Sequence, residues 1–430
     1  MVKITKADGK AEFELIEILR ARSCETDKKV TAIVGDIIDE VKAHGDEAVR
    51  EYTIKFDKHC PNVFEVSRDE ISDALTNADP AFVEALLNAQ ANIADFHVRQ
   101  KHQSFINAKA NGVIMGQRVR GLKSVGLYVP GGTAAYPSSV LMNAVPAKIA
   151  EVDELIMVTP PLKNGKANPD ILVAAAIAGV DRVFLVGGAQ AIAALAYGTA
   201  TIPKVDKIVG PGNIYVATAK RLLYGVVDID MIAGPSEILI MADSTAEPAY
   251  LAADMLSQAE HDKLASSILL TTSEEIAVKV KDELNLQTQK LARNDIITES
   301  LKSFGAIIIC RSNDEMVMLA NLLAPEHLEV MVENPMEYIG KLDNAGSIFL
   351  GKFSPEPLGD YYAGPNHVLP TGGTARFFSP LSVDSFTKKT SYIYYTEEAL
   401  KEAHDDIVLI AGKEGLTAHA NSIEVRFKTK

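Results

Sequence analysis

The feature that most limits how this chain can fold is a series of short, nearly unbroken apolar runs between residues 154 and 351. They read ELIMV (154–158), RVFLV (182–186), DKIVG (206–210), ILIM (238–241), SSILLT (266–271), AIIIC (306–310), LEVMV (328–332) and SIFLG (347–351). Helical, often Ala-rich sequence separates them. A strand that is apolar at every position is buried on both faces, so the runs predict parallel sheets covered by helices. Two α/β units of similar make-up are expected.

Upstream, residues 26 to 105 read as helices. VTAIVGDIIDEVKAHGDEAVREY spaces Ile33, Ile37, Val41 and Ala48 near the helical period. Ser67 with Glu70 fits a capping box, and Asp79 followed by Pro80 fits a helix start. A short β region, GVIMGQRVRGLKSVGLYVPGG, comes next. Beyond residue 380 short strands and helices alternate in a segment too small for a core of its own. It reads as an arm that packs on something else, a second subunit being one choice.

The chain has 430 residues, with 57 acidic against 43 basic side chains and a net charge of −14, which argues against nucleic-acid or anionic-membrane partners. Its N-terminus has no apolar core of signal-peptide type; Phe13, Leu15, Ile16, Ile18 and Leu19 suggest a short amphipathic helix instead. The most apolar stretch, DILVAAAIAGVDRVFLVGG, is cut by Asp181 and Arg182, so it does not read as a membrane span. Cys24, Cys60 and Cys310 have neither metal-like nor disulfide-like spacing and suit a reducing compartment. A soluble cytoplasmic protein is expected.

Several polar clusters interrupt this apolar plan. SQAEHD (257–262) closes a helical stretch, and on a helix Gln258 and His261, three apart, share a face. Both can offer a neutral lone pair to a metal, although a solvated helix end reads the same way. Partners would have to come from elsewhere. Asp360 lies in a turn-rich segment, and Glu414 and His419 lie five apart near the C-terminus. His367, in PNHVLP, reads as a structural loop residue, and His97 suggests no role. Glu326 and His327 stand between Pro325 and an apolar strand. Neighbours on a strand face opposite ways, so only a bend at Pro325 would aim both into one cleft. A carboxylate beside an imidazole suits acid–base work near neutral pH.

Three glycine-bearing strand-to-helix turns could admit a phosphate to helix N-termini. One carries Tyr128 before Gly131 and Gly132, the second Gly187, Gly188 and Gln190, the third Gly210, Gly212 and Asn213. In the last, Tyr215 stands where a dinucleotide fingerprint needs its third glycine, so the pattern is not G-x-G-x-x-G. A shallow crevice is expected rather than a tight dinucleotide site.

Taken together, DMIAGPSEILIMAD, LAADMLSQAEHD, APEHLEV, NAGSIFLG, GDYYAGPNHVLPTGGTARF and EGLTAHANSIEVR resemble the motifs of histidinol dehydrogenases, in the order of that family and across nearly the whole chain. The resemblance implies a homodimeric zinc enzyme that oxidises L-histidinol to L-histidine through L-histidinaldehyde with two NAD. It assigns zinc to Gln258, His261, Asp360 and His419, which also contact substrate, and catalysis to Glu326 and His327. His327, Ser236 and Glu414 fall on substrate-contacting positions, and Tyr128, Gln190 and Asn213 on NAD-contacting ones. Glu414 and His419 would reach the partner's site. No mapped position is substituted, which sets aside a silent scaffold. Relatives oxidising other alcohols, such as dihydroxypropanesulfonate, would diverge around GPNHVLPT and EGLTAH, both intact here. Aldehyde oxidation often uses a cysteine nucleophile. None of the three cysteines lies in these motifs, which favours a water-based second step.

The expected fold is therefore two Rossmann-like parallel-sheet domains with a helical N-terminal region and a small C-terminal tail that packs on the partner subunit. The division is an N-terminal arm (1–25), a first α/β domain (26–125 with 237–378), a second (126–236) and a C-terminal arm (379–430).

Overall fold

In the computed structural model, which describes residues 2–24, 28–131 and 136–428, each of the predicted apolar runs is a strand. Strand β1 (Lys3–Lys6) and helix α1 (Ala11–Cys24) precede four helices, α2 (Lys28–His44), α3 (Asp46–Asp57), α4 (Arg68–Thr76) and α5 (Pro80–Val98). Strands β2 (Phe105–Ala108) and β3 (Ile114–Gly121) lead to β4 (Ser124–Tyr128), α6 (Pro137–Ile149), β5 (Glu154–Thr159) and α7 (Pro169–Ala178). Then come β6 (Arg182–Leu185), α8 (Gly188–Tyr197), β7 (Lys207–Val209), α9 (Ile214–Leu223) and β8 (Asp228–Ile229). The second series is β9 (Glu237–Ala242), α10 (Pro248–Ala259), β10 (Ser266–Thr271), α11 (Glu274–Thr288), α12 (Asn294–Phe304) and β11 (Gly305–Ile309). It continues with α13 (Asn313–Leu323), β12 (His327–Met331), β13 (Ser347–Leu350) and α14 (Glu356–Tyr361). Strand β14 (Thr387–Tyr394) and helices α15 (Glu397–Glu402), α16 (His404–Lys413) and α17 (Thr417–Glu424) end the described chain.

Two sheets are parallel throughout. One runs β6-β5-β4-β7-β8, the other β1-β11-β10-β9-β12-β13. Numbered within its own series, each reads 3-2-1-4-5, the doubly wound order, with β1 added at the edge of the second. Their strands lack alternation because helices cover both faces; every residue of β9, β10 and β12 is buried.

The helical region does not join the 237–378 unit, as the sequence division has it. α2 buries Val30, Val34, Ile37, Ile38 and Val41 against α8 and α9, while α4 and α5 pack on α6 and α7, all around the β4–β8 sheet. Each such buried aliphatic side chain stabilises by about 1.5–3 kcal/mol. Ile33, read as part of the buried stripe, is 44% exposed, since the stripe runs through Val30 and Val34. Ser67 and Asp79 do cap α4 and α5, accepting from the N–H groups of Glu70 and Ala81. The 1–25 arm, by contrast, belongs to the second unit. β1 pairs with β11, and Ile16 and Leu19 of α1 enter the core that contains Leu239 and Leu328.

Two further segments tie the units together. Val368, Leu381, Val383 and Phe386 return to the first unit's core. β14 pairs antiparallel with β3, and β3 with β2, so the C-terminal arm is rooted in its own chain before it projects. Among the described residues no helix is long and apolar enough to cross a membrane.

Candidate active site and metal centre

The Glu326–His327 pair is built by a bend. α13 ends at Ala324, whose φ of 50° places it in the left-handed region; Pro325 follows, and β12 begins only at His327. Glu326 therefore lies outside strand alternation, and both side chains turn inward, with Glu326 Oε2 3.6 Å from His327 Nδ1. One neighbouring residue holds both. The Glu237 N–H donates to Glu326 Oε2 (2.9 Å), and the Glu237 carbonyl lies 3.1 Å from His327 Nδ1. Ser236 stands directly before Glu237, half-buried at the amino end of β9.

A backbone carbonyl only accepts, so Nδ1 of His327 donates to it, and when the ring is neutral Nε2 is the nitrogen that carries the lone pair. That nitrogen is buried and has no hydrogen-bond partner among the described residues. It faces Glu356 Oε1 at 3.9 Å and Asp360 Oδ1 at 3.8 Å. Both carboxylates come from α14, a short helix where the sequence suggested only turns. Its approach depends on Gly359, where a Cβ would lie 2.6 Å from the Phe349 ring. His367, read from the sequence as a structural loop residue, packs against Asp360. Its Nδ1 donates to the Asp360 carbonyl (3.0 Å), and its Nε2 is 3.3 Å from Ser139 Oγ on α6.

The electrostatics follow from burial and crowding. Desolvation pushes Glu326 up to about 7. Burial opposes a charge on His327, but Glu326, Asp360 and Glu356 overcome it and hold the imidazole near about 10. Glu356 rises to about 8 through burial and the nearby Asp360. Asp360 is buried too, yet His327 and His367 keep its carboxyl well below the usual range.

Of the expected metal donors, Asp360 belongs to this ring of carboxylates, and Gln258 and His261 lie at the end of α10, the helix that packs on α14. The last turn of α10 meets α14 where Ser257 Oγ lies 3.3 Å from Glu356 Oε2. Next to it Gln258 is fully buried, with both amide atoms unpartnered among the described residues. A buried amide without partners is costly, about 1–3 kcal/mol, so it points to a ligand. His261 lies past the helix end rather than on it, its N–H donating to the Gln258 carbonyl (3.2 Å) in a final tight turn. Desolvation lowers its pKa while Asp360 raises it, so the two are electrostatic neighbours. The fourth donor, His419, is exposed on α17 and lies outside this cluster in a single chain, as does Glu414. Instead His327, Glu356 and Asp360 place one ligand atom each within 4.8 Å of one another. An amide oxygen, an imidazole and carboxylates suit a divalent cation such as zinc.

The second crevice lies at the carboxyl edge of the other sheet, where strand order reverses between β4 and β7. Tyr128 ends β4; its buried hydroxyl accepts from the Gly188 N–H (3.1 Å), and burial lifts its pKa to about 12. Asn213 caps α9, accepting from the Tyr215 and Val216 N–H groups at 3.0 and 3.2 Å. Gln190, at the start of α8, is fully buried with both amide atoms unpartnered among the described residues. Gly132 lies outside the described residues.

Glu237, Glu356 and Glu329 were not singled out in the sequence. Glu356 is signalled only by its place one helical turn before Asp360. Cys310 is buried, with its thiol pushed to about 12 by burial, while the side chain of Cys24 lies outside the described residues. His97 is a core residue, its Nδ1 2.7 Å from Gln100 Oε1.

Comparisons with known proteins agree on one family. A family model described as histidinol dehydrogenase matches residues 20–427. The histidinol dehydrogenase of Clostridium acetobutylicum is 58% identical over 421 residues, covering 98% of this chain and 97% of that protein. That of Listeria innocua is 57% identical over 420 residues, covering 98% of each. The crystal structure of histidinol dehydrogenase from Elizabethkingia anophelis matches with a TM-score of 0.92 at 38% identity, covering 99% of this chain and 97% of that one.

Proposed function

The chain belongs to the histidinol dehydrogenase family, and from that premise we propose that it oxidises L-histidinol to L-histidine through L-histidinaldehyde, as a zinc-bound, NAD-dependent homodimer. The overall balance is R–CH2OH + H2O + two NAD⁺ giving R–COO⁻ + two NADH + three H⁺. The observation that carries this reading is the orientation of His327, whose Nδ1 is tied to the Glu237 carbonyl so that Nε2 faces the carboxylates of α14.

His327 Nε2 takes the proton of the substrate alcohol as a hydride leaves its carbon. Glu326, poised near neutral pH by burial, removes a proton from the water that adds to the aldehyde. Once Nε2 has passed the first proton to solvent, it accepts a second from the hydrated aldehyde as a second hydride leaves. Tyr128, Gln190 and Asn213 would hold NAD, which would supply the hydride acceptor. Zinc, when held by Gln258, His261, Asp360 and His419 of the other subunit, orients the substrate and offsets the charge of the carboxylate ring. Ser236 and Glu414 contact the substrate. Exposed apolar residues beside Glu414 and His419, among them Leu409 (62%) and Ile410 (61%), support an arm that covers a second copy. A biosynthetic role in the cytoplasm accords with this chemistry.

The test is NADH formed per L-histidinol consumed, before and after chelation. Two NADH, lost on chelation and restored by zinc, is the expected result. One NADH would mean that Glu326 lacks the assigned role. None from histidinol, with turnover of dihydroxypropanesulfonate, would overturn the substrate assignment.

A further inference from the structure

Lys220 and Asp230 form an ion pair that no role above uses, and both side chains are almost wholly buried. Lys220, on α9, donates to Asp230 Oδ1 and to the carbonyl of Gly210 (3.0 Å). Asp230, just past β8, accepts from the Gly210 N–H through Oδ2 (2.8 Å) and from the Met231 N–H through Oδ1 (2.6 Å). Both backbone groups of Gly210 are thus committed to this one pair. Gly210 has a φ of 107°, and a Cβ there would lie 2.2 Å from the Tyr128 carbonyl oxygen, so the turn runs tightly against the end of β4. Asn213 follows three residues later. On the other side, Asp230 opens the segment that crosses from the first sheet to the second. That segment is pinned midway by the Gly234 N–H on Thr371 Oγ1 (2.6 Å) and ends at Ser236 and Glu237. Glu237 is the residue whose backbone holds Glu326 and His327.

We propose that Lys220 and Asp230 are positioning residues that fix the cofactor turn relative to the strand that presents the catalytic pair. The proposal rests on reading the β4–β7 crevice as the NAD site. A buried ion pair is weak as a source of stability, because desolvation cancels much of its attraction, but it fixes geometry in several directions. Hydride transfer needs the reacting atoms about 3–3.5 Å apart, and a misplacement of about 1 Å costs on the order of a hundredfold. Neither residue touches substrate or cofactor; each acts through Gly210 and the crossing segment.

Two neutral double variants separate the roles, since neither leaves a lone buried charge. Lys220→Gln with Asp230→Asn keeps a donor and an acceptor for Gly210, whereas Lys220→Met with Asp230→Asn loses the donor. The full-length, zinc-loaded proteins are compared in kcat/KM for NAD, L-histidinol affinity without NAD, and zinc per chain. The Met-bearing variant should lose about tenfold or more in kcat/KM for NAD while histidinol affinity and zinc stay within about twofold, and the Gln-bearing variant should recover most of the loss. A Met-bearing variant within about twofold of the parent overturns the proposal. So does a loss shared equally by both variants, histidinol affinity and zinc content. Should the Met-bearing chain not fold, Lys220→Leu with Asp230→Asn, which also lacks the donor and leaves no lone charge, is scored by the same ratio. Gln190→Ala gives the control: an unchanged KM for NAD sinks the cofactor reading itself, while a raised KM alongside unaffected pair variants sinks only the positioning role.

Discussion

His327 Nδ1 is held 3.1 Å from the backbone carbonyl of Glu237, and that contact selects the tautomer whose Nε2 can accept a proton. His327→Asn should therefore lower kcat by about 10²–10⁴, the usual worth of a general base, while zinc content stays at the parent level. Single-turnover NADH formation and metal analysis check this. Retention of more than about a tenth of the parent rate would remove His327 from the proton-transfer step.

Glu326 must be ionised to draw a proton from water, and burial sets its pKa at about 7. The aldehyde-to-acid step should accordingly speed up as pH rises toward about 7 and level off above it. Glu326→Gln keeps an acceptor for the Glu237 N–H, so the fold should survive while this step loses its pH dependence. NADH yield per histidinol would then fall from about two toward one, with aldehyde accumulating.

Glu326, Asp360 and Glu356 outweigh burial and raise the His327 imidazole to about 10. A cation beside Asp360 repels the imidazole proton, so zinc loading should lower the imidazole pKa by more than about one unit. Nitrogen-15 spectra of the histidine side chains, recorded across pH with and without zinc, measure both values. Equal values in the two states would mean that the metal does not reach this ring.

Glu329 lies beneath the site, two residues along β12 from His327, and accepts from the Glu356 N–H at the start of α14 (2.8 Å). Burial first, and Asp254 on α10 second, raise its pKa well above the ordinary 4.5, and Asp254 itself is raised by burial to about 6. A raised folded-state value means that the stabilising contribution is complete below the ordinary value and is lost as pH rises through the folded one. Glu329→Gln keeps the acceptor for Glu356 and cannot ionise. Its Tm should match the parent near pH 4.5 and exceed it by roughly 2–4 °C per kcal/mol relieved at pH 8. Glu329→Leu, lacking the acceptor, should lower Tm at both. Scanning calorimetry at the two pH values decides.

The strands were legible because burial on both faces leaves a short apolar run, as in ILIM, whereas a buried helix such as α7 carries a longer, Ala-rich one. Which sheet a helix covers was not. The stripe of α2 states that one face is buried, but Val34 and Ile37 would suit either sheet, and tertiary contacts chose the first. The bend at Pro325 could be read, since Glu326 and His327 need it to point the same way. Glu356 could not, because α14 is six residues long and too short to show a period. Glu329 was hidden inside the run LEVMV, where a buried carboxylate looks like an interruption until its partner on α14 is seen. The acceptor and donor that hold Glu326 and His327 are backbone atoms of Glu237, and side-chain identity carries no trace of them.

The exposed positions of Glu414 and His419 in a single chain lead to the last expectation. If the arm completes the partner's site, a site draws Glu326 from one chain and His419 from the other. Chains carrying Glu326→Gln and chains carrying His419→Ala, each nearly inactive alone, should then form heterodimers in which one site combines both defects and the other combines neither. With random pairing about half the dimers are mixed and half their sites intact, so about a quarter of the parent activity should return. Co-expression with two affinity tags isolates the mixed dimer, which should show about half the parent activity per dimer. Activity no higher than that of either variant alone would place His419 in the site of its own chain, and the arm would then have to fold back rather than cross over.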